Sequence, residues 1–326
     1  MRRREFLAGG TLGLSALAGS VPVRAYPEKR LAASLPTGAK CRVAVIGRTG
    51  RGNYGHGMDT VWNEIEQADE MVAAFEKRKL KLAIAHQTRY SPALLHVQKA
   101  IAEGMLGDLL ELRGRGKEDQ RGGGEDLMVL GTHIMDLMRF FVGEARWCFA
   151  QVSQGGKPVI AKDVRAGAEG IGPLAGDEIH AMYRFDGVTI GYFSTHRARQ
   201  GASARFGLQV YGSKGILTMT TGAVPEIWFV EDPSWQPGRG QARWKPVSSE
   251  GIDKPERLSD PQQGYGNRLI ALDLIHAIET DSRPQGSAYD GRAALEMILA
   301  VYESHRRSAP VPLPLQNRRH PLSGWS

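Results

Sequence analysis

Cysteine is scarce, at two residues in 326. Cys41 sits beside an apolar run and Cys148 follows a tryptophan, so both read as buried thiols. They suggest neither a disulfide framework nor a metal site, although an oxidising compartment could still pair them. The most apolar stretch, near the N-terminus, is broken by glycines and barely long enough to cross a bilayer, so no stable membrane span is expected. Also missing is any interleaving of aromatic and basic side chains. The lysines and arginines are scattered, part of the net charge of +7 lies in the first 25 residues, and nucleic acid is not an expected partner. No internal repeat is visible.

With 41% hydrophobic and 24% charged residues, the chain can bury a large core, as two domains rather than one. "MRRREFLAGGTLGLSALAGSVPVRA" joins a basic start to an apolar Gly/Ala-rich stretch and small residues near Ala18 and Ala25. It reads as an export signal over 1–25, and Arg3-Arg4-Glu5-Phe6-Leu7 makes it the twin-arginine type, with a periplasmic or extracellular destination. A linker follows over 26–39.

"CRVAVIG" is a short apolar run ending in glycine, which suggests a buried parallel strand. The loop after it, Gly47-Arg48-Thr49-Gly50-Arg51-Gly52, precedes a helix. Glycines there let backbone approach a pyrophosphate, and a helix start supplies oriented N–H groups. Thr49 stands where the middle glycine is usual, and a Gly-rich turn without a ligand is the plainer alternative. Val61, Ile65, Ala68, Val72 and Phe75 share one face and predict a helix from about Asp59 to Lys79. "KLKLAIAH" (79–86) predicts a second buried strand, and Ser91-Pro92 opens a helix that Gly104 stops.

From 108 the pattern changes to strand-like runs separated by turn residues, an antiparallel sheet with hairpins at Asp186-Gly187 and Ser213-Lys214-Gly215. One helix is predicted at roughly 124–142, and two more at Asn267–Thr280 and Asp290–His305, the last with Asp290 as N-cap. The stretch 231–264 reads as a surface excursion. On the 124–142 helix, Asp126, Val129 and His133 fall on nearly one face. A histidine there can exchange a proton with a substrate hydroxyl, although helix position alone favours a packed, satisfied ring.

Taken in order, the strand-GRTGRG opening, "KLAIAHQTRYSP", "GDLLELRGRGKED", "GGGEDLMVLGTHIMDLMRFFVG" and "LQVYGSKGIL" resemble the glucose-fructose oxidoreductase / inositol dehydrogenase (Gfo/Idh/MocA) family, from about residue 40 almost to the end. The resemblance implies an α/β fold, a Rossmann-type parallel sheet domain and then an α+β domain with an open, mostly antiparallel sheet that often mediates dimerisation. It also implies hydride transfer between a sugar, cyclitol or related polyol and NAD or NADP. Gly47–Gly52 would hold the phosphates and His133 would be the acid–base residue. Lys117 is the nearby helper, with Glu118 beside it, though both also fit plain surface charge. No metal is implied.

Three departures are visible. The aspartate of the family's D-x-x-x-H motif falls on Val129, its Glu-Lys-Pro lysine has no counterpart, and Gly52 is followed almost at once by a helix that resembles a much later one. At about 30 residues per βαβ unit, two or more units are missing. The expected organisation is therefore a shortened nucleotide domain (40–107), joined between Asn63 and Gln67, and a substrate and dimerisation domain (108–326). A homo-oligomer is expected through the C-terminal sheet. Two other readings fit the same residues: a catalytically inactive sugar-binding or dimerisation module, and a lyase or hydrolase that uses a bound nicotinamide transiently.

Overall fold

The structure, a computed structural model, describes residues 64–197, 205–236, 242–260 and 264–325. The N-terminal 25 residues, Cys41, the first expected strand and the Gly47–Gly52 loop lie outside the described residues.

Helix α1 (Ile65–Lys77) buries Ile65, Ala68 and Val72, the apolar face expected of it. It begins after Glu64, which is extended (φ −134°, ψ 149°), and the expected start near Asp59 lies outside the described residues. The N–H of Glu66, which has no partner within its own first turn, donates to the carbonyl of Arg318 at 3.0 Å. The run 79–86 makes one antiparallel bridge, Ala83 to Ser287, rather than a full described strand. Its companion here is the 285–287 segment, with Ile84 N–H donating to Gly286 O at 2.7 Å. Helix α2 (Pro92–Ala102) has proline in its first turn, buries Leu94, Val97 and Ile101, and gives way to Gly104 at φ 88°.

The remaining elements are β1 (Leu109–Arg115), α3 (Gly124–Val129), α4 (Gly131–Val142), β2 (Ala145–Gln154), β3 (Lys157–Pro158), β4 (Arg165–Ala166) and β5 (Pro173–Leu174). They continue with β6 (Glu178–Phe185), β7 (Ile190–His196), β8 (Gly207–Gly212), β9 (Gly215–Thr220), β10 (Ile227–Val230), β11 (Lys245–Ser248) and β12 (Gly251–Ile252). Helices α5 (Gly264–Glu279) and α6 (Ala288–Arg307) and strand β13 (Val311–Pro312) close the chain. One 11-stranded sheet runs β12-β11-β10-β9-β8-β1-β7-β6-β2-β13, with β3 on β2, while β4 and β5 form a separate ribbon. Every described pairing is antiparallel except β1 with β7. The α/β class with an open, mostly antiparallel sheet is thus what these residues form.

Both expected hairpins are present, β6–β7 and β8–β9. The stretch read as a surface excursion instead contributes β11 and β12 to the sheet edge. Helix α6 starts two residues earlier than expected. Ser287 is its N-cap, and Asp290, three residues on, reaches back to the Ser287 N–H at 3.0 Å to complete a capping box.

The predicted 124–142 helix is two helices. Leu130 (φ −108°, ψ −25°) separates α3 from α4. The break has a cause in the side chains: Asp126, fully buried, accepts the backbone N–H groups of Lys117 and Glu118, each at 3.1 Å, and the Thr195 hydroxyl. That ties α3 to the ends of β1 and β7, while α4 packs separately with Ile134, Met135, Leu137 and Met138 buried. A side chain at Gly114 on β1 would collide with Ile134 and Met138, so glycine is what lets α4 lie this close to the sheet.

Candidate active site

The head of α4 carries Thr132 and His133, both half-buried. Against it lies the 3₁₀ turn Gln87–Tyr90, entered through His86. The turn is held by its own buried polar groups. Gly286 N–H donates to the Tyr90 hydroxyl at 2.8 Å, that hydroxyl donates to Asp273 Oδ2 at 3.2 Å, and the Gln285 amide donates to Arg89 O at 2.9 Å. Gln87 reaches Asn267 Oδ1 on α5 at 2.8 Å, and the Gly222 N–H donates to the Thr88 hydroxyl at 2.8 Å.

His86 is 2% exposed. Its Nε2 lies 2.9 Å from Thr132 Oγ1, and its Nδ1 lies 3.1 Å from Asp136 Oδ1 without hydrogen-bond alignment. Asp136 also receives Arg89 in a fork, Nε to Oδ2 at 2.9 Å and Nη2 to Oδ1 at 2.5 Å. Burial opposes ionisation of Asp136, but Arg89 and then His86 outweigh it and hold the carboxyl far below the ordinary carboxylate range. Asp290 continues the network, 3.8 Å from Arg89 and 3.1 Å from Arg139. The His133 ring stands edge-on to His86, centroids 5.6 Å apart, and to Phe206 at 6.5 Å. Hydroxyl, imidazole and carboxylate are thereby brought to one place from 86, 132, 133 and 136.

Of the residues expected at a site, His133 is here. Lys117 is partly exposed, with its Nζ 3.5 Å from Asp119 Oδ2. The Glu118 carboxylate is buried between Arg115 at 3.0 Å and Arg205 at 3.1 Å. Asp126 serves the ends of β1 and β7, and burial raises its carboxyl above the usual range. Gly47, Arg48, Thr49, Gly50, Arg51 and Gly52 lie outside the described residues. His86, Thr132 and Asp136 were not singled out from the sequence. The available signal was a histidine closing the apolar run "KLAIA", where chain chemistry changes abruptly.

Among the described residues, the sheet's other face, away from α4, is open. A row crosses it in register: Phe149, Met182, Tyr192, Arg113, Gln209, Thr218 and Trp228 are successive cross-strand partners. Phe149, Tyr192 and Trp228 are each about two-fifths exposed. A cleft of about 630 Å³ lies on this face, lined by Arg113, Arg115, Tyr192, Thr218, Glu226 and Trp228. It is separate from the His86–His133 cluster.

A family model described as the C-terminal alpha/beta domain of the Gfo/Idh/MocA oxidoreductase family matches residues 98–313. Levoglucosan dehydrogenase of Pseudarthrobacter phenanthrenivorans is 24% identical over 288 residues, which is 76% of this chain and 71% of that protein. Among solved structures, levoglucosan dehydrogenase in complex with NADH and levoglucosan superposes with a TM-score of 0.60 at 21% identity, covering 78% of this chain and 71% of that one. An NAD-binding oxidoreductase from Klebsiella pneumoniae superposes with a TM-score of 0.61 at 18% identity, covering 79% of this chain and 73% of that one.

Proposed function

Because the chain belongs to the Gfo/Idh/MocA oxidoreductase family, we propose that it transfers hydride between a carbinol of a sugar, cyclitol or related polyol and NAD or NADP. The observation that carries this reading is the cluster at the head of α4, where His86 meets both His133 and Thr132 beside a buried carboxylate. Its hydroxyl, imidazoles and neighbouring amides suit a hydroxyl-rich ligand and the carboxamide of a nicotinamide. His133 is the acid–base residue and Lys117 the helper, while Gly47–Gly52 would hold the dinucleotide phosphates. A bound dinucleotide supplies the hydride acceptor, and the protein's own part is to orient the alcohol and move its proton.

The relative named above is a levoglucosan dehydrogenase, which supports a carbohydrate-like substrate. Helix α1 begins at Ile65, inside the interval Asn63–Gln67 where the nucleotide domain is read as joined. Export by the twin-arginine route suits a protein that folds around its dinucleotide beforehand. Self-association through the open face, with its row of part-exposed Phe149, Tyr192 and Trp228, completes the reading.

Protein purified in its native form and then denatured should release a dinucleotide detectable by absorbance and fluorescence. His133→Ala should lower turnover of levoglucosan with NAD by about 100-fold or more, with the melting temperature nearly unchanged. An empty protein that still self-associates would instead support the inactive sugar-binding module. Bound cofactor without net reduction of added NAD would support the lyase or hydrolase.

A further inference from the structure

Asp136, His86 and Thr132 form a line from the interior to the head of α4: carboxylate to Nδ1 at 3.1 Å, then Nε2 to hydroxyl at 2.9 Å. The first two side chains are almost wholly buried, and the third is half-buried beside His133. The ring hydrogen-bonds a half-buried hydroxyl through Nε2 and sets Nδ1 against a buried anion, close but without hydrogen-bond alignment. Anion, imidazole and hydroxyl thus stand in the order required to move a proton. Asp136 is already compensated by the Arg89 fork.

We propose that Thr132, His86 and Asp136 are a proton relay for the reacting hydroxyl, doing the work of the carboxylate that Val129 lacks. The inference rests on the oxidoreductase reading and deepens it. In the oxidation direction the carbinol C–H electron pair leaves as hydride to the nicotinamide of that reading, and the C–O bond becomes C=O. The hydroxyl proton passes to Thr132 Oγ1, while the proton already on Thr132 moves to His86 Nε2. His133, the acid–base residue of that reading, hydrogen-bonds the same oxygen and is the alternative acceptor, so the relay shares proton removal with it. Thr132 is thus the catalytic contact, His86 the acceptor behind it, and Asp136 the buried carboxylate that faces the imidazolium. Each step is reversed for reduction.

The test uses the full chain with NAD and levoglucosan, comparing Thr132→Val, which keeps the shape, with Thr132→Ser, which keeps the hydroxyl. Thr132→Val should lower kcat by about 10- to 100-fold with KM within about twofold, and Thr132→Ser should recover most of it. In the cofactor-free protein, ¹⁵N spectra should show the His86 Nε2 resonance moving in Thr132→Val and returning in Thr132→Ser. Full kcat in Thr132→Val, or an unmoved His86 resonance, overturns the relay alone. A native chain that holds no dinucleotide and turns over nothing overturns the oxidoreductase reading and the relay together.

Discussion

His320 couples stability to pH. Burial lowers its pKa from 6.5 to about 4, its Nδ1 accepts the Leu322 N–H at 3.1 Å, and its Nε2 is buried without a hydrogen-bond partner. Between those two values the unfolded chain binds a proton that the folded chain refuses. The stabilisation is therefore complete above about pH 6.5 and is lost as pH falls through about 4, by about 3 kcal/mol in full. His320→Phe should flatten that slope in urea titrations at pH 4.5 and 7, at a cost of about 1 kcal/mol for the unpaired Leu322 N–H. Equal slopes in the two proteins would rule it out. The histidines also mark how far residue-level reading reaches. His133 was visible because its helix has a period and its motif a likeness. His86 acquires meaning only from Thr132 and Asp136, 46 and 50 positions away, and no local pattern encodes that meeting.

Among the elements, regular ones were legible. Leu94, Val97 and Ile101 mark α2 by spacing alone, and alternation places β6 and β7 with the turn between them. The misreadings share one origin, tertiary partners overriding local pattern. Asp126 bonded to the ends of two strands divides a continuous apolar stripe into α3 and α4, and the Arg318 carbonyl receives the first turn of α1. The tie at Arg318 is testable. Its guanidinium holds Asp69 of α1 at 2.8 and 2.9 Å and also meets Glu296 of α6. Arg318→Ala should destabilise the fold by about 2 kcal/mol. The loss should appear as faster amide exchange confined first to α1, and uniform exchange across the molecule would contradict the local tie.

At the scale of the whole molecule, the sheet face left open among the described residues is the surface to test for association. Tyr192 and Trp228 belong to one cross-strand row, each about two-fifths exposed. Replacing both by glutamate should raise the monomer fraction in sedimentation velocity without changing the melting of the isolated subunit. An unchanged mass distribution would remove this face as the association surface. The open sheet was legible from alternating strands, but its strand order was not, because order depends on which distant runs meet. That order has a temporal consequence. Strand β1 lies between β7 and β8, and contacts such as Thr189 to Leu109 and Arg113 to Tyr211 span 80 and 98 positions. A ribosome makes this central strand early, yet its partners emerge only after much of the chain has followed. The sheet therefore closes late and slowly, and the nascent chain must keep one of its most central segments unpaired while the 80 to 98 residues that lead to its partners are made.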